Sequence, residues 1–499
     1  MDAAVQQQAK ERMAAVSQKQ AAGASGADLG NAFGQLGMLL HAAEYYEAAR
    51  PAYLNAQALM PEEHRWPYYL GLVHRNTGDT AAAIQSFTQA LHLRASDLPT
   101  LIWLGRTYLD QGQPDQAEPL LLQAQSVAPQ NTAVLAALGQ AALARRDFPR
   151  AVTLLEEALA AQPTASSIHA PLANAYRGLG NAQQAEAHLK QWRNTELGFT
   201  DPWKQELDMT IESGLAYELR GVRALEQRDF ASAAQLFRKG VTLAPGTTMI
   251  GRSLRHKLGT ALALSGDGEG AMRQFEETVR FAPADGFDEP VAKAYYSLGV
   301  IAASNGDVDL AGQRLTAAIR YNPSYVEARL LLGDVLRRTG AAEAALAQYD
   351  EVARINPRAA AARVGRTMVL ARLQRYADGR ATLEDALRTQ PGQIELSHAL
   401  ARLLATAPDA RVRDGQRALT LVQDVARTNS GTTVGETMAM ALAEVGNFDE
   451  AVSVQRSVLQ AASDAGMRDA IPRLTANLRL YESRRPCRTP WTSDESVVN

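Results

Sequence analysis

Four Leu-Gly pairs, Leu36-Gly37, Leu70-Gly71, Leu104-Gly105 and Leu138-Gly139, stand 34 residues apart. A fixed period of that length implies one supersecondary unit copied along the chain, and it constrains the fold more than any local propensity does. Twelve residues after each glycine comes an alanine (Ala49, Ala83, Ala117, Ala151), and four further on a large apolar residue (Tyr53, Phe87, Leu121, Leu155). Leu172-Ala173 continues the phase with Ala185 and Leu189. Beyond an interruption the pattern resumes on Gly221, Gly259, Gly299 and Gly333, with Ala233, Ala271, Ala311 and Ala345 twelve residues later. Three weaker units follow, phased on Thr367, Ala401 and Ala439, which gives about twelve units in all.

The spacing dictates two helices per unit. Small residues on the first helix and at two positions of the second let the pair approach closely, and the large apolar residue fills the gap beside them. Turn signals such as Thr77-Gly78-Asp79 and Ser304-Asn305-Gly306-Asp307 separate the helices. Glycine there supplies a left-handed residue and aspartate a cap for the next helix. Prolines such as Pro61, Pro129, Pro245, Pro323 and Pro391 close the units.

Segments such as Ile102–Gln130 and Tyr296–Pro323 carry the full Leu-Gly–Ala–aliphatic–Pro pattern, and in this they resemble the tetratricopeptide repeat. The resemblance covers roughly residues 30–465. It implies an all-α, right-handed superhelical solenoid. A single hairpin cannot bury its apolar face, so the stack is the folding unit.

The expected organisation is an N-terminal helix and linker over 1–29, about five repeats over 30–193, an inserted linker and helix over 194–216, and about seven repeats over 217–465. A capping helix follows over 466–484, then an irregular tail over 485–499. Asp201-Pro202-Trp203 reads as an N-cap and first turn, placing a helix near 203–216, either separate from or continuous with the helix of Gly221. Shorter insertions at 246–252 and 284–290 read as tolerated surface loops. In the capping segment Ile471, Leu474, Leu478 and Tyr481 make one apolar face, leaving Arg473, Asn477, Arg479 and Glu482 for solvent. The tail is expected to be loose beyond local packing of Trp491.

Nothing in the chain suggests catalysis. Its eight histidines are scattered, and its one cysteine, Cys487, cannot form an internal disulfide or build a metal site. No phosphate loop, GxSxG or strand-following GxGxxG is present. Gly266-Asp267-Gly268-Glu269-Gly270 falls at an inter-helix turn. No cofactor or metal is expected. A net charge of −3 offers nucleic acid no bulk attraction, and no run of about 18 apolar residues would enter a membrane.

The resemblance implies that function lies on the concave surface, lined by the first helix of each unit. Its exposed positions, counted from the phasing glycine, correspond here to Tyr68 and Arg75, Arg106, Asn174 and Arg177, Tyr296, and Arg337. Arg and Tyr make anchoring contacts, and Asn can bond a peptide backbone as donor and acceptor. Tyr68, Arg75, Arg106, Asn174 and Arg177 form the leading candidate groove. Of the Lys/Asn pattern with which chaperone-binding arrays clamp a terminal carboxylate, only Asn174 is matched. The expected function is a non-catalytic scaffold that binds a peptide segment or partner domain. The alternative is the binding subunit of a cell-envelope glycan or exopolysaccharide transferase or secretion complex, with catalysis on another chain. A loose similarity to exported bacterial repeat proteins points to a periplasmic home, with the signal peptide absent from this chain, or otherwise to the cytoplasm.

Overall fold

The computed structural model describes residues 3–193, 197–429, 431–492 and 495. Parts of the insertion (194–196) and of the tail (493, 494 and 496–499) lie outside them. Among the described residues there are twenty-seven α-helices, one short 3₁₀ turn and no strand. The chain divides into two compact units, Met1–Tyr217 and Glu218–Asn499.

Unit 1 opens with α1 (Ala3–Ala21) and continues as five hairpins. These are α2 (Gly26–Ala42) with α3 (Tyr46–Leu59), α4 (Arg65–Asn76) with α5 (Thr80–Leu93), α6 (Leu98–Asp110) with α7 (Pro114–Val127), α8 (Thr132–Ala144) with α9 (Phe148–Ala161), and α10 (His169–Gly178) with α11 (Ala182–Gln191). A short α12 (Pro202–Asp208) ends it, separate from α13 (Gly214–Glu226), within which the division between units falls. Thus the extra helix stops at Asp208 and does not run into the next repeat. Helix α1 is part of the packed structure: its Val5, Ala9 and Val16 are buried, with Leu39, Leu36 and Ala52 among their neighbours.

In unit 2, α13 pairs with α14 (Phe230–Leu243), α15 (Met249–Leu264) with α16 (Gly268–Arg280), and α17 (Glu289–Ser304) with α18 (Val308–Tyr321). The series continues with α19 (Val326–Thr339) and α20 (Ala342–Ile355), α21 (Ala360–Arg372) and α22 (Tyr376–Thr389), α23 (Ile394–Thr406) and α24 (Gly415–Ala426), and α25 (Thr432–Glu444) and α26 (Phe448–Asp464). The single α27 (Ile471–Glu482) closes the series against α26.

The phasing glycines sit where the sequence pattern requires contact. A Cβ on Gly71 would lie 2.5 Å from the Phe87 ring, and one on Gly139 2.6 Å from Leu155. Each pair spans sixteen residues, so the glycine of the first helix and the large residue of the second meet inside one hairpin. The turns follow the same logic: Gly78 takes φ +80°, and Asp79 accepts the Ala82 N–H at 3.1 Å to cap α5.

Within each unit, most neighbouring first helices touch, as α6 does α8 and α21 does α23. No two neighbouring second helices make comparable contact among the described residues. The first helices therefore line the inner side of the curvature. Here unit 2 departs from the sequence reading. The segments 246–252 and 284–290 are not merely tolerated loops: they bring together Arg252 and Asp288, both buried, with Nη2 and Oδ2 at 2.5 Å, and Asp288 also caps α17 through the Val291 N–H.

Candidate functional site

On the inner face of unit 1, α4 presents Arg65, Tyr68 and Tyr69, and α6 presents Trp103 and Arg106. All five hold a non-repeat stretch of the same chain, residues 197–208. Asp201 is the centre of this arrangement and is only 4% exposed. Its Oδ2 accepts the Tyr68 hydroxyl at 2.5 Å and the Trp103 indole N–H at 2.9 Å. Its Oδ1 accepts the Trp203 and Lys204 amides at 3.1 and 3.0 Å, capping α12. The same carboxylate thus starts the short helix and fastens it to the array.

Further contacts run along the segment. The Arg106 guanidinium donates to the Leu197 carbonyl at 3.1 Å and lies over the Phe199 ring. The Tyr69 hydroxyl donates to the Trp203 carbonyl, and Arg65 pairs with Glu206 at 2.9 Å. The Trp203 indole donates to Asp97 Oδ1 at 3.1 Å, and its ring meets His64 edge-on. Burial, then the neighbouring Asp201, holds the Tyr68 phenol well above its ordinary pKa, so it keeps the proton it donates.

Of the residues singled out from the sequence, Tyr68 is therefore not an exposed contact: it is 0% exposed, covered by the chain's own segment. Arg106 is half-buried beside it. Arg75 bridges to Asp110 at 2.6 Å and lies over Trp103. Together with Gln140, Ser167, Ile168 and Leu197, Arg75 and Arg106 line an open cleft of about 220 Å³ that continues past the docked segment. Asn174 and Arg177 are exposed and bonded to each other at 3.0 Å one hairpin on.

Tyr296 and Arg337 belong to unit 2 and do not join that group. Tyr296 packs on Tyr325 with ring centroids 5.1 Å apart. Arg337, expected at the surface, is 3% exposed: it is bonded to Asp334 at 2.7 Å and donates to the Glu495 carbonyl of the tail. The tail also departs from expectation, because its described residues are seated. Cys487 is buried, the Pro490 carbonyl accepts from Arg402 Nε at 2.5 Å, and Glu495 Oε1 pairs with Arg402 Nη2 at 2.7 Å. Arg473 and Asn477, read from the sequence as solvent-facing, turn inward to Glu436, which Asn477 reaches at 3.0 Å. The sequence reading missed Trp103, Asp201, Arg402 and Glu436. Only the Asp201-Pro202 cap signal marked any of them, and it spoke for a helix start rather than a docked carboxylate.

Family models for the tetratricopeptide repeat match residues 28–97, 76–141, 142–201, 296–360 and 342–394, more than half of the chain. The chain belongs to the tetratricopeptide-repeat family. Proteins of this family are protein-interaction scaffolds, and that is the coarse function of this one. Similar solved structures include MamA (41 to end) from Desulfovibrio magneticus RS-1, 18% identical over 32% of this chain and 92% of that one, with a TM-score of 0.32. MamA AMB-1 is 22% identical over 36% of this chain and 99% of that one, with a TM-score of 0.30. The comparison with curated proteins finds no match. Among the described residues no helix is long and apolar enough to cross a membrane, and no group of three or more His, Cys, Asp or Glu is placed to hold a metal.

Proposed function

We propose that this tetratricopeptide array is a non-catalytic scaffold that binds extended segments of partner proteins on the inner face of unit 1. The observation that carries this reading is the manner in which residues 197–208 lie across α4 and α6. Aromatic and arginine side chains of two successive repeats grip a segment outside the repeats through its carboxylate, its carbonyls and its rings. Such donors recognise any chain that offers the same groups. The cleft beyond Leu197 leads from Arg75 and Arg106 toward α8 and α10, where Asn174 and Arg177 stand exposed. A partner segment entering there would lie beside the resident one, against Leu197.

A displayed peptide library selected on the full chain tests the reading. Selected peptides should bind the Arg75→Ala, Arg177→Ala double variant at least tenfold more weakly, with helical circular dichroism unchanged. Equal binding by the folded double variant would refute the assignment of the groove.

A further inference from the structure

A second inner-face site lies in unit 2, built on charge. Arg402 on α23 and Glu436 on α25 are 3% and 1% exposed, and Arg473 on α27 closes on the same Glu436. Arg402 Nη1 stands 3.6 Å from Glu436 Oε2. Two guanidinium groups therefore share one carboxylate of the array. The tail adds a second carboxylate to this buried group: Glu495 Oε1 lies 2.7 Å from Arg402 and 3.7 Å from Arg473.

The rest of the tail reinforces the fit. Thr492 donates its amide and hydroxyl to Glu495 Oε2 at 2.7 and 3.0 Å, so the carboxylate enters the site already oriented. Arg402 lies over the Trp491 ring while its Nε takes the Pro490 carbonyl. Beside the seated tail is an open pocket of about 440 Å³, lined by Arg337, Met368, Arg372, Tyr376, Pro490 and Trp491. One arginine thus reads three features of one short stretch: a carbonyl at proline, the following aromatic face, and a carboxylate four residues after the aromatic.

We propose that this is a peptide-binding site for an acidic extended segment of a partner protein, one with a Pro-aromatic pair followed by a carboxylate, and that the tail, through its residues 485–492 and Glu495, is its exchangeable resident. The proposal rests on the reading that inner faces of this array take extended segments, extended here to unit 2. Charge complementarity sets the occupant: the buried Arg402 meets the tail's carboxylate at 2.7 Å and the array's own Glu436 only at 3.6 Å.

The chain's single cysteine reports on the tail. Cys487 is 3% exposed, its Sγ accepts the Thr489 amide at 3.5 Å, and burial pushes the thiol pKa up, so a seated tail is slow to react with a thiol reagent. In the full chain Glu495→Gln should speed Cys487 labelling at least tenfold. A synthetic peptide of residues 488–495, which lacks the cysteine, should do the same to the wild-type chain at saturation. Its counterpart with Gln for the glutamate should not. If Glu495→Gln leaves the rate unchanged, the carboxylate does not seat the tail and the proposal falls. If that variant labels fast but the wild-type peptide has no effect, the tail is a fixed strap and the proposal falls as well. Both outcomes leave the unit 1 selection experiment untouched, so the two readings fail separately.

Discussion

Each unit grips a stretch of its own chain on its own inner face, but with different donors. In unit 1 the buried carboxylate belongs to the docked segment, and neutral donors, the Tyr68 hydroxyl and the Trp103 indole, come from the array. In unit 2 the array supplies charge, Arg402 and Arg473, and the tail brings the counter-charge of Glu495. Both stretches carry a Pro-Trp pair, Pro202-Trp203 and Pro490-Trp491. The contrast shows that a repeat fixes where an inner face lies but leaves its polarity to a few positions.

The largest test of that contrast is removal of Arg402. Arg402→Ala leaves Glu495 without its nearest cation and the Pro490 carbonyl without its donor, in a buried site. Breaking such a buried pair costs roughly 3–5 kcal/mol. Chemical denaturation should show the loss, with hydrogen exchange rising in the tail and not in residues 197–208. Equal exchange in both stretches would mean the two grips are not independent.

The counterpart in unit 1 is Asp201→Ala. It strands a phenol and an indole donor and removes the cap of α12, for about 2–4 kcal/mol. Amides of 203–208 should exchange faster while Cys487 labelling stays slow. Asp201→Asn should recover part of the loss, since a neutral acceptor still suits neutral donors. The matching Glu495→Gln change should recover little, because arginine requires charge.

Acid asks whether the contrast is confined to the docked stretches. Burial lowers the pKa of His41 in unit 1 to about 4, with the cation Lys204 adding to it, and burial lowers that of His398 in unit 2 to about 4, with Arg402 adding to it. Each folded value lies below the ordinary 6.5, so the stability these groups give is full above pH 6.5 and is lost as pH falls toward 4. At pH 5 the loss is about 2 kcal/mol for each histidine. Denaturant titrations at pH 7 and pH 5 should show both units weakened together. Loss from one unit alone would place the pH response in the segments instead of the repeats.

Much of the fold is legible in the sequence because repeat contacts are local and periodic. Gly71 and Phe87 meet within one hairpin, sixteen residues apart, and the phase repeats down the chain. Even Thr367, which stands in for a glycine, is buried at its phased position. The docked stretches were not legible. Asp201 meets Tyr68 across 133 residues and Pro490 meets Arg402 across 88, and neither pairing leaves a period. That is also why Tyr68 and Arg337 read as exposed: each sits at an inner-face position of its own repeat, and what covers it comes from a part of the chain that does not repeat. Arg75, Asn174 and Arg177 are partly or fully open.

Salt should produce the smallest effect and the most selective one. At 1 M the screening length is about 3 Å, so partly open ion pairs lose most of their attraction and hydrogen bonds between neutral and charged groups lose little. Glu495 and Arg473 are 14% and 16% exposed at the side chain, and Arg488 reaches Glu444 at 2.6 Å from a half-open position. In unit 1 the ion pair that ties residues 197–208 to α4 is Arg65 with Glu206, worth at most about 1 kcal/mol, beside the buried contacts of Asp201. Raising salt from 0.1 to 1 M should therefore speed Cys487 labelling by about two- to fivefold, under about 1 kcal/mol, and leave exchange in residues 197–208 unchanged. If salt loosens both stretches equally, the neutral donors of Tyr68 and Trp103 are not what holds residues 197–208. The unit 1 grip would then depend on Arg65 and Glu206, and the two faces would differ in degree rather than in kind.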